Sequence, residues 1–329
     1  MPLLTVAIPT FDRNAILREN IRGLLPQLTS DCRLLILDNH SPTPVAETLE
    51  DLLSDYPQLD YAIIRHPLNI GGNANIVRCF EVCETPWLWV LGDDDRVDSA
   101  AISTIFAEIA ARPTLVYANF STQGHQRSKS FVTKGQEQFA ASIDHFMHAI
   151  LISTCIYNHA KVKARINYGY QFAYSCAPHL LMVLLSLADD GECIFSDRTI
   201  VHWEVAEDEQ RWPMITPWLG FPTLLEAPIP HPVRLHLARA ISESTSPRVL
   251  ARELYYTARQ NGDFDKARHL FDSVMFRATS LDRRLLMRLK IALMRLILVA
   301  PRVFAIFDAF RLRLSGRQIG TYRAPQRVE

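Results

Sequence analysis

The first 120 residues alternate short apolar runs with stretches of helical periodicity. Residues 15–28, 45–54, 73–84 and 99–112 show the spacing of apolar positions that is typical of amphipathic helices. The apolar runs between them predict strands buried on both faces; they are LTVAIP, RLLIL, YAIIR, WLWVL and TLVYA. Such a series predicts an α/β fold with a mostly parallel, Rossmann-like sheet flanked by helices, and ligands are expected outside the carboxyl ends of its strands.

Beyond residue 120 the pattern is less regular but continues the same domain. An apolar segment AILISTCIYN, a helical pattern HLLMVLLSLA and a strand-like CIFSDRTIVHW precede a proline-rich linker, after which the chain has helical periodicity only. We therefore predict an α/β domain over 1–218, with halves at 1–120 and 121–218. A helical region over 219–280 and a basic amphipathic segment over 281–329 follow.

The charge of the chain is balanced overall but unevenly distributed. The 35 Lys and Arg residues offset 35 Asp and Glu, and 48% of the residues are hydrophobic, which excludes a disordered tail and a generally basic nucleic-acid binder. Residues 281–329, however, carry eleven basic and three acidic side chains, a net charge of +8. Arginines interrupt its apolar run, so this segment is predicted to lie on an anionic membrane surface. The alternative is a pair of helices packed on the protein or on a second copy in a homo-oligomer.

The cysteines and the N-terminus indicate the compartment. The six cysteines form no CxxC pair and most lie in apolar runs, so we expect reduced, buried thiols. The N-terminal MPLLTVAIPT lacks the charged region of a secretory signal, and there is no uncharged apolar segment of membrane-spanning length. A cytoplasmic protein, or one peripheral to a membrane, is the prediction.

Polar residues follow four of the predicted strands at the point where each ends. The most informative are Asp93, Asp94 and Asp95, directly after WLWVL. Adjacent carboxylates repel one another unless a hard cation such as Mg²⁺ or Mn²⁺ neutralises them, which favours a metal site. The alternative is a solvated turn before a helix N-cap. Asp38 likewise could accept a hydrogen bond from a nucleotide or could form an Asx-turn with Ser41.

The stretch NIGGNAN at residues 69–75 offers glycines for close approach of a ligand and a helix N-terminus that favours an anion. It is neither a GxGxxG fingerprint nor a Walker A loop. Those absences argue against a dehydrogenase and a P-loop NTPase.

Four segments in this order, AIPTFDR, LDNHS, HPLNIGGNAN and LGDDD, resemble the GT-A fold of glycosyltransferase family two. LGDDD together with the later ISTCIYN is most similar to the branch of abequosyltransferase-like enzymes of surface-polysaccharide synthesis. The resemblance implies that 1–120 is the nucleotide-binding half and 121–218 the acceptor half. It assigns nucleotide-sugar binding to Pro9, Thr10, Asp12, Arg13, Asp38, Arg65, Asn69, Asn75, Asp93 and Asp94.

The resemblance also implies a metal site and a general base. Asp95 matches the metal-binding carboxylate, with Asp93 and the later His202 as further metal ligands. The acidic pair that opens a helix in family members is missing, and His179 stands in that slot. Because an imidazole near neutral pKa can take a proton from an attacking hydroxyl, we expect His179 to replace the carboxylate as the base. The alternative for His179 is a structural role, packed at a helix N-terminus. The alternative for His202 is a polar residue at the edge of a strand.

The sequence therefore predicts an inverting, metal-dependent glycosyltransferase that moves a sugar from a nucleotide-sugar donor to a lipid-linked glycan. The process implied by the resemblance is bacterial O-antigen or capsule synthesis, which together with the basic tail places the protein peripherally on the inner face of the cytoplasmic membrane. Two alternatives remain open. A metal-dependent nucleotidyltransferase would need a basic phosphate-clamping loop, and a non-catalytic nucleotide-sugar or membrane-binding scaffold would explain the missing acidic pair.

Overall fold

The computed structural model describes residues 1–188, 190–202, 215–244, 246–279, 281 and 285–302. The chain divides into two compact units, residues 1–206 and 207–329. The predicted boundaries at residues 218 and 280 stay predictions. Most of the predicted basic tail, residues 303–329, lies outside the described residues.

A mixed sheet forms the centre of the first unit. Among the described residues it has eight strands, in the spatial order β3-β2-β1-β4-β8-β6-β9-β7. The strands are β1 (Leu4–Thr10), β2 (Cys32–Asp38), β3 (Asp60–Arg65), β4 (Trp87–Val90), β6 (Leu115–Ser121), β7 (Phe131–Lys134), β8 (Cys155–Asn158) and β9 (Glu192–Thr199). β1 pairs in parallel with β2 and β4, and β2 with β3, whereas β8 runs antiparallel between β4 and β6. The predicted mostly parallel α/β sheet is confirmed.

The first unit also contains a separate two-stranded antiparallel ribbon. It pairs β5 (Arg96–Val97), directly after the acidic triplet, with β10 (Val201–His202). The ribbon thus fixes the segment after Asp95 to the end of the first unit.

Helices connect the strands and cover the sheet. In order they are α1 (Asn14–Leu24), α2 (Val45–Ser54), α3 (Gly72–Val82), α4 (Ala101–Ala111), α5 (Gly135–Ala141), α6 (Phe146–Ala149), α7 (His159–Val162), α8 (Ile166–Gln171) and α9 (Pro178–Ser186). Their apolar faces follow the helical repeat: α2 buries Val45, Leu49 and Leu53, which are four residues apart. These side chains join one core with the buried residues of β1 and β2.

The second unit consists of helices over its described residues. They are α10 (Ile215–Gly220), α11 (His231–Ser244), α12 (Pro247–Asn261), α13 (Phe264–Thr279) and α14 (Leu285–Val299). α12 ends at Gly262, whose φ of +75° is a left-handed conformation that glycine adopts without steric cost, and α13 then packs back on α12. The predicted helical C-terminal region is confirmed.

Candidate active site

The carboxyl ends of β1 and β4 meet because the two strands are parallel neighbours. Thr10, the last residue of β1, donates a hydrogen bond from Oγ1 to Asp93 Oδ2 at 2.7 Å. Asn20 Nδ2 of α1 holds the backbone oxygen of Asp93 at 2.7 Å. The acidic triplet is therefore tied to the end of β1, and Asp93 and Asp95 are both buried.

Arg13 supplies the positive charge opposite two of the three carboxylates. Its Nη1 lies 3.0 Å from Asp93 Oδ1 and 2.7 Å from Asp94 Oδ2. Burial raises the pKa of Asp93 more than the hydrogen bond from Thr10 and the charge of Arg13 lower it. Burial lowers the pKa of Arg13, but the charges of the two carboxylates outweigh burial and shift it upward. Because Asp93 and Asp95 are buried, the acidic triplet is not the solvated turn that was the alternative prediction.

Asp95 is held from another part of the chain. Ser153 Oγ donates a short hydrogen bond to Asp95 Oδ2 and accepts one from the backbone N–H of Gly92 at 2.8 Å. Burial, together with the charges of Asp94 and Asp93, raises the pKa of Asp95 to about 6 against the hydrogen bond from Ser153. Ser153 was not among the predicted site residues.

Asp38 uses its carboxylate inside the protein. Oδ1 accepts from the Ser41 N–H at 2.8 Å, and Oδ2 accepts from Arg65 Nη1 at 2.6 Å and from the Val45 N–H at 3.3 Å. Burial raises the pKa of Asp38, but the hydrogen bonds from these three residues outweigh burial and lower it. Asp38 thus bonds Ser41 as expected, but its side chain reaches the N–H three residues on, not two as in an Asx-turn. Asp38 and Arg65 together fix the loop after β2.

Amides join the ends of β2 and β3. Asn39 Nδ2 donates to Asn69 Oδ1 at 2.8 Å, and Asn39 Oδ1 accepts from the Ile70 N–H at 2.9 Å. Asn75, also buried, bonds His66 Nε2 at 2.8 Å and donates to the Leu37 carbonyl at 3.0 Å. Asn75 and Asn69 therefore shape this edge of the sheet from within. Asn39 was not among the predicted site residues, although its place directly after a buried strand was a usable signal.

The loops after β1 and β2 contain strained backbone. Asp12 and His40 have φ values of 55° and 68°, in the left-handed region that non-glycine residues rarely adopt. Asp12 is held there by a 3.0 Å hydrogen bond from its N–H to Ser41 Oγ. Pro9 lies within β1, opposite Leu37 of β2. Both predicted residues thus lie at or next to the edge formed by Thr10 and Asp38.

His202 has other partners than the acidic triplet. Its Nε2 lies 3.0 Å from Asp98 Oδ2, and its Nδ1 lies 2.8 Å from Gln123 Nε2. The backbone hydrogen bond from Ala100 lowers the pKa of Asp98, and His202 lowers it further. Within the ranges that the structure describes, no group of three or more His, Cys, Asp or Glu residues is arranged to hold a metal ion. The structure does not bring His202 to Asp93 and Asp95 as a third ligand.

The oxygen chemistry of the triplet nevertheless suits a hard divalent cation. Only one carboxylate oxygen of Asp95 takes a hydrogen bond from the described residues, which leaves the other for a ligand. The charges of Asp93 and Asp94 raise the pKa of Asp95, and a cation would relieve this repulsion. The residues fit an ion that takes its remaining oxygen ligands from a diphosphate and water.

His179 is the second residue of α9 and is 1% exposed. Neither ring nitrogen has a hydrogen-bond partner among the described residues, and its ring stands edge-on to that of Tyr157, 6.4 Å between centroids. Burial lowers its pKa to about 4, which the nearby backbone of Ile150 offsets only in part. The imidazole is therefore neutral near pH 7.

Comparison with known proteins gives a family match within the first unit. Residues 5–160 match the family described as Glycosyl transferase family 2. The GalNAc(5)-diNAcBac-PP-undecaprenol beta-1,3-glucosyltransferase of Campylobacter jejuni is 26% identical over 140 residues. These are 42% of this chain and 45% of that relative, so the match spans less than half of the relative's length.

Solved structures share the fold at low identity. S. aureus TarS 1–349 in complex with UDP-GlcNAc has a TM-score of 0.61 and 13% identity, with 91% of each chain covered. The mannosyltransferase PcManGT from Pyrobaculum calidifontis, in complex with GDP-Man and Mn²⁺, has a TM-score of 0.55 and 11% identity, with 93% of this chain and 88% of that chain covered. The likeness confirms the GT-A-like fold.

Proposed function

We propose that the protein transfers a sugar from a nucleotide-sugar donor to a hydroxyl of a lipid-linked glycan, with inversion at the anomeric carbon. The observation that carries this proposal is the convergence of Asp93, Asp94 and Asp95 with Thr10 and Arg13 where β1 and β4 end. The match of residues 5–160 to Glycosyl transferase family 2 supports the reaction class. The Campylobacter relative, whose name includes undecaprenol, supports the lipid-linked acceptor.

The donor would lie across the edge formed by the loops after β1, β2 and β3. Asp38, Arg65, Asn69 and Asn75 hold these loops in place. Thr10 and Arg13 would face the diphosphate, and Asp94 would face the ribose or the metal ion. Arg13 is held by two carboxylates before the donor binds, and its guanidinium has the planar donor geometry that matches phosphate oxygens.

Asp95, with Asp93 beside it, would hold Mg²⁺ or Mn²⁺. When bound, such an ion neutralises charge on a departing diphosphate. A relative in complex with GDP-Man and Mn²⁺ supports this assignment. His202 would act from the β5–β10 ribbon, through Asp98, on the position of the segment that follows Asp95.

In the chemical step, the acceptor oxygen forms a bond to the anomeric carbon while the bond from that carbon to the diphosphate oxygen breaks. The nucleoside diphosphate leaves with the bonding electron pair, and the hydroxyl proton passes to a ring nitrogen of His179. Burial keeps this imidazole neutral but lowers its pKa to about 4, below the near-neutral value expected from the sequence, so proton transfer to His179 requires that acceptor binding raises this pKa. Because His179 is 1% exposed, the role requires that acceptor binding opens a path to the ring.

The biological setting that we propose is bacterial surface-polysaccharide synthesis at the inner face of the cytoplasmic membrane. The similarity of LGDDD and ISTCIYN to abequosyltransferase-like enzymes supports the process, while the curated relative is a glucosyltransferase, so the donor sugar stays open. All six cysteines are free thiols, which supports a reducing compartment.

A binding screen tests the proposal. Thermal unfolding of the chain is followed with UDP, GDP, dTDP and CDP, each with and without Mn²⁺. We expect one diphosphate to raise the melting temperature, and Asp95→Asn to remove the part of the shift that needs Mn²⁺. Binding without any sugar transfer would favour a scaffold, and the absence of any shift would contradict the proposed donor site.

A further inference from the structure

Helix α14 presents a continuous row of large apolar side chains to solvent. Leu285, Leu286, Leu289, Leu293, Leu296 and Val299 are between 44% and 70% exposed; we call these six side chains the leucine face. Each helical turn of α14 contributes to it. The opposite side of the helix packs on α12 and α13, where Leu298 is buried. Ile297, which follows Leu286 around the helix at one border of the leucine face, is also buried.

The exposed and packed sides are separate sectors of the helix. At about 100° per residue, the leucine face spans roughly 140° of the circumference, and Met287, Ile291, Met294 and Leu298 occupy the packed sector. The leucine face therefore does not take part in the packing of α14 on α12 and α13. A contiguous apolar surface of this kind marks an interaction site.

Basic side chains border the leucine face on both sides. Arg288 and Arg295 lie at one border and Lys290 at the other, each within about 40° of it. Asp272 binds Arg295 through Nε and Nη2, both at 2.7 Å, whereas Arg288 and Lys290 are exposed. Cations with long apolar stems can lie along an apolar surface and still reach an anionic layer beside it.

The charges decide which partner fits. Residues 285–302 contain four cations and no acidic residue, so pairing two copies of this surface would set like charges against one another. No helix of the part described here is long and apolar enough to span a bilayer. An apolar face with basic borders is the pattern of helices that lie in the interface of an anionic membrane.

We propose that the leucine face of α14 docks on the surface of an anionic lipid bilayer, with Arg288 and Lys290 on lipid headgroups. This inference does not depend on the proposed reaction. Membrane docking would place the protein at the surface where a lipid-linked acceptor lies.

Vesicle binding tests the apolar contribution. The full chain is sedimented with phosphatidylglycerol-containing vesicles and with phosphatidylcholine vesicles. The double variant Leu289→Glu/Leu293→Glu should lower partition into the anionic vesicles by at least about tenfold, because two exposed leucines that would enter the bilayer surface are lost. The matched control Leu235→Glu/Val249→Glu changes two similarly exposed apolar residues of α11 and α12 and should stay within about twofold.

The charge contribution needs its own arm. Arg288→Gln/Lys290→Gln should lower binding to the anionic vesicles by about tenfold and weaken its dependence on salt, while Arg248→Gln/Arg259→Gln on α12 should not. Circular dichroism should show all variants folded, because every changed residue is exposed. Equal binding to both vesicle types, or loss in the controls to the same extent, would overturn the proposal. The proposal would also be overturned if the wild type bound no vesicles but formed a dimer, and the Leu289→Glu/Leu293→Glu variant were monomeric.

Discussion

Ser153 Oγ donates a hydrogen bond to Asp95 Oδ2 although 58 positions separate the two residues in the chain. The contact exists because β8, which begins two residues after Ser153, lies next to β4 in the sheet. A buried hydroxyl in the predicted acceptor half thus fixes the carboxylate that we propose as the metal ligand.

Removal of this hydroxyl should impair transfer. Ser153→Ala leaves Asp95 Oδ2 and the Gly92 N–H without their partner, so we expect transfer to fall by at least about tenfold and stability to fall by about 1–3 kcal/mol. Ser121→Ala removes another buried hydroxyl, which donates to the Ser196 carbonyl and accepts from the Arg127 N–H. Denaturant unfolding should show a similar loss of stability in both variants, and kinetic measurements should show the loss of transfer in Ser153→Ala. Equal loss of activity in both would contradict a specific role of Ser153.

Gly92 is required by the close approach of Asp95. A Cβ at this position would lie 2.6 Å from Asp95 Oδ2 and 3.2 Å from Ser153 Oγ, so Gly92→Ala must displace the carboxylate. We expect transfer to fall by about 100-fold, the effect of a misplaced site group. At Gly124 the nearest atom would be 4.0 Å away, and Gly124→Ala should therefore retain activity. Retained activity in Gly92→Ala would show that the position of Asp95 is not critical.

His179 can be tested by an apolar replacement. Because both ring nitrogens lack hydrogen-bond partners among the described residues, His179→Leu should leave stability unchanged or raise it by about 1 kcal/mol. If His179 is the general base, the same variant should lose at least about 100-fold in transfer rate. Activity within about twofold of wild type would assign His179 to packing. His159→Leu is the contrast: its ring nitrogens bond the Phe80 and Thr85 carbonyls, and its loss should destabilise the fold.

The low pKa of His179 also predicts a pH dependence of stability. The unfolded chain binds a proton near the ordinary histidine pKa of about 6.5, but the folded chain does so only at about 4, so stability falls as pH drops through this window. Over this window His179 lowers the free energy of unfolding by about 3 kcal/mol. Asp95, with its pKa raised to about 6, acts in the opposite direction between about pH 4 and 6 and is present in both proteins compared. Urea unfolding of His179→Leu and wild type should show a difference that grows as the pH is lowered; a constant difference would contradict the buried, neutral imidazole.

The sequence predicted local elements well and the contacts between them only in part. The helix at Val45–Ser54 was predicted with the observed bounds because its apolar residues recur every four positions. The first helix was predicted to extend to residue 28, but α1 ends at Leu24 and a short 3₁₀ turn follows, because Pro26 has no N–H for the helical ladder.

Long-range partners in the site escaped the sequence. The clustering of the acidic triplet with Thr10 and Arg13 followed from the parallel-strand pattern, since the ends of adjacent parallel strands share an edge. Ser153 could not be predicted, because its contact needs β8 to enter antiparallel between β4 and β6. The pairing of His202 with Asp98 likewise depends on the β5–β10 ribbon and has no local signal.

Transfer of labelled sugar tests the central claim most directly. Radiolabelled nucleotide sugars are incubated with the wild type, with Asp95→Asn and with an extract of bacterial polyprenyl-diphosphate-linked glycans, in Mn²⁺ or Mg²⁺. We expect label from one nucleotide sugar to enter the lipid fraction with the wild type, and Asp95→Asn to lower the rate by at least about 100-fold. Equal transfer by both proteins, or no transfer from any nucleotide sugar while a nucleoside diphosphate still binds, would contradict that claim.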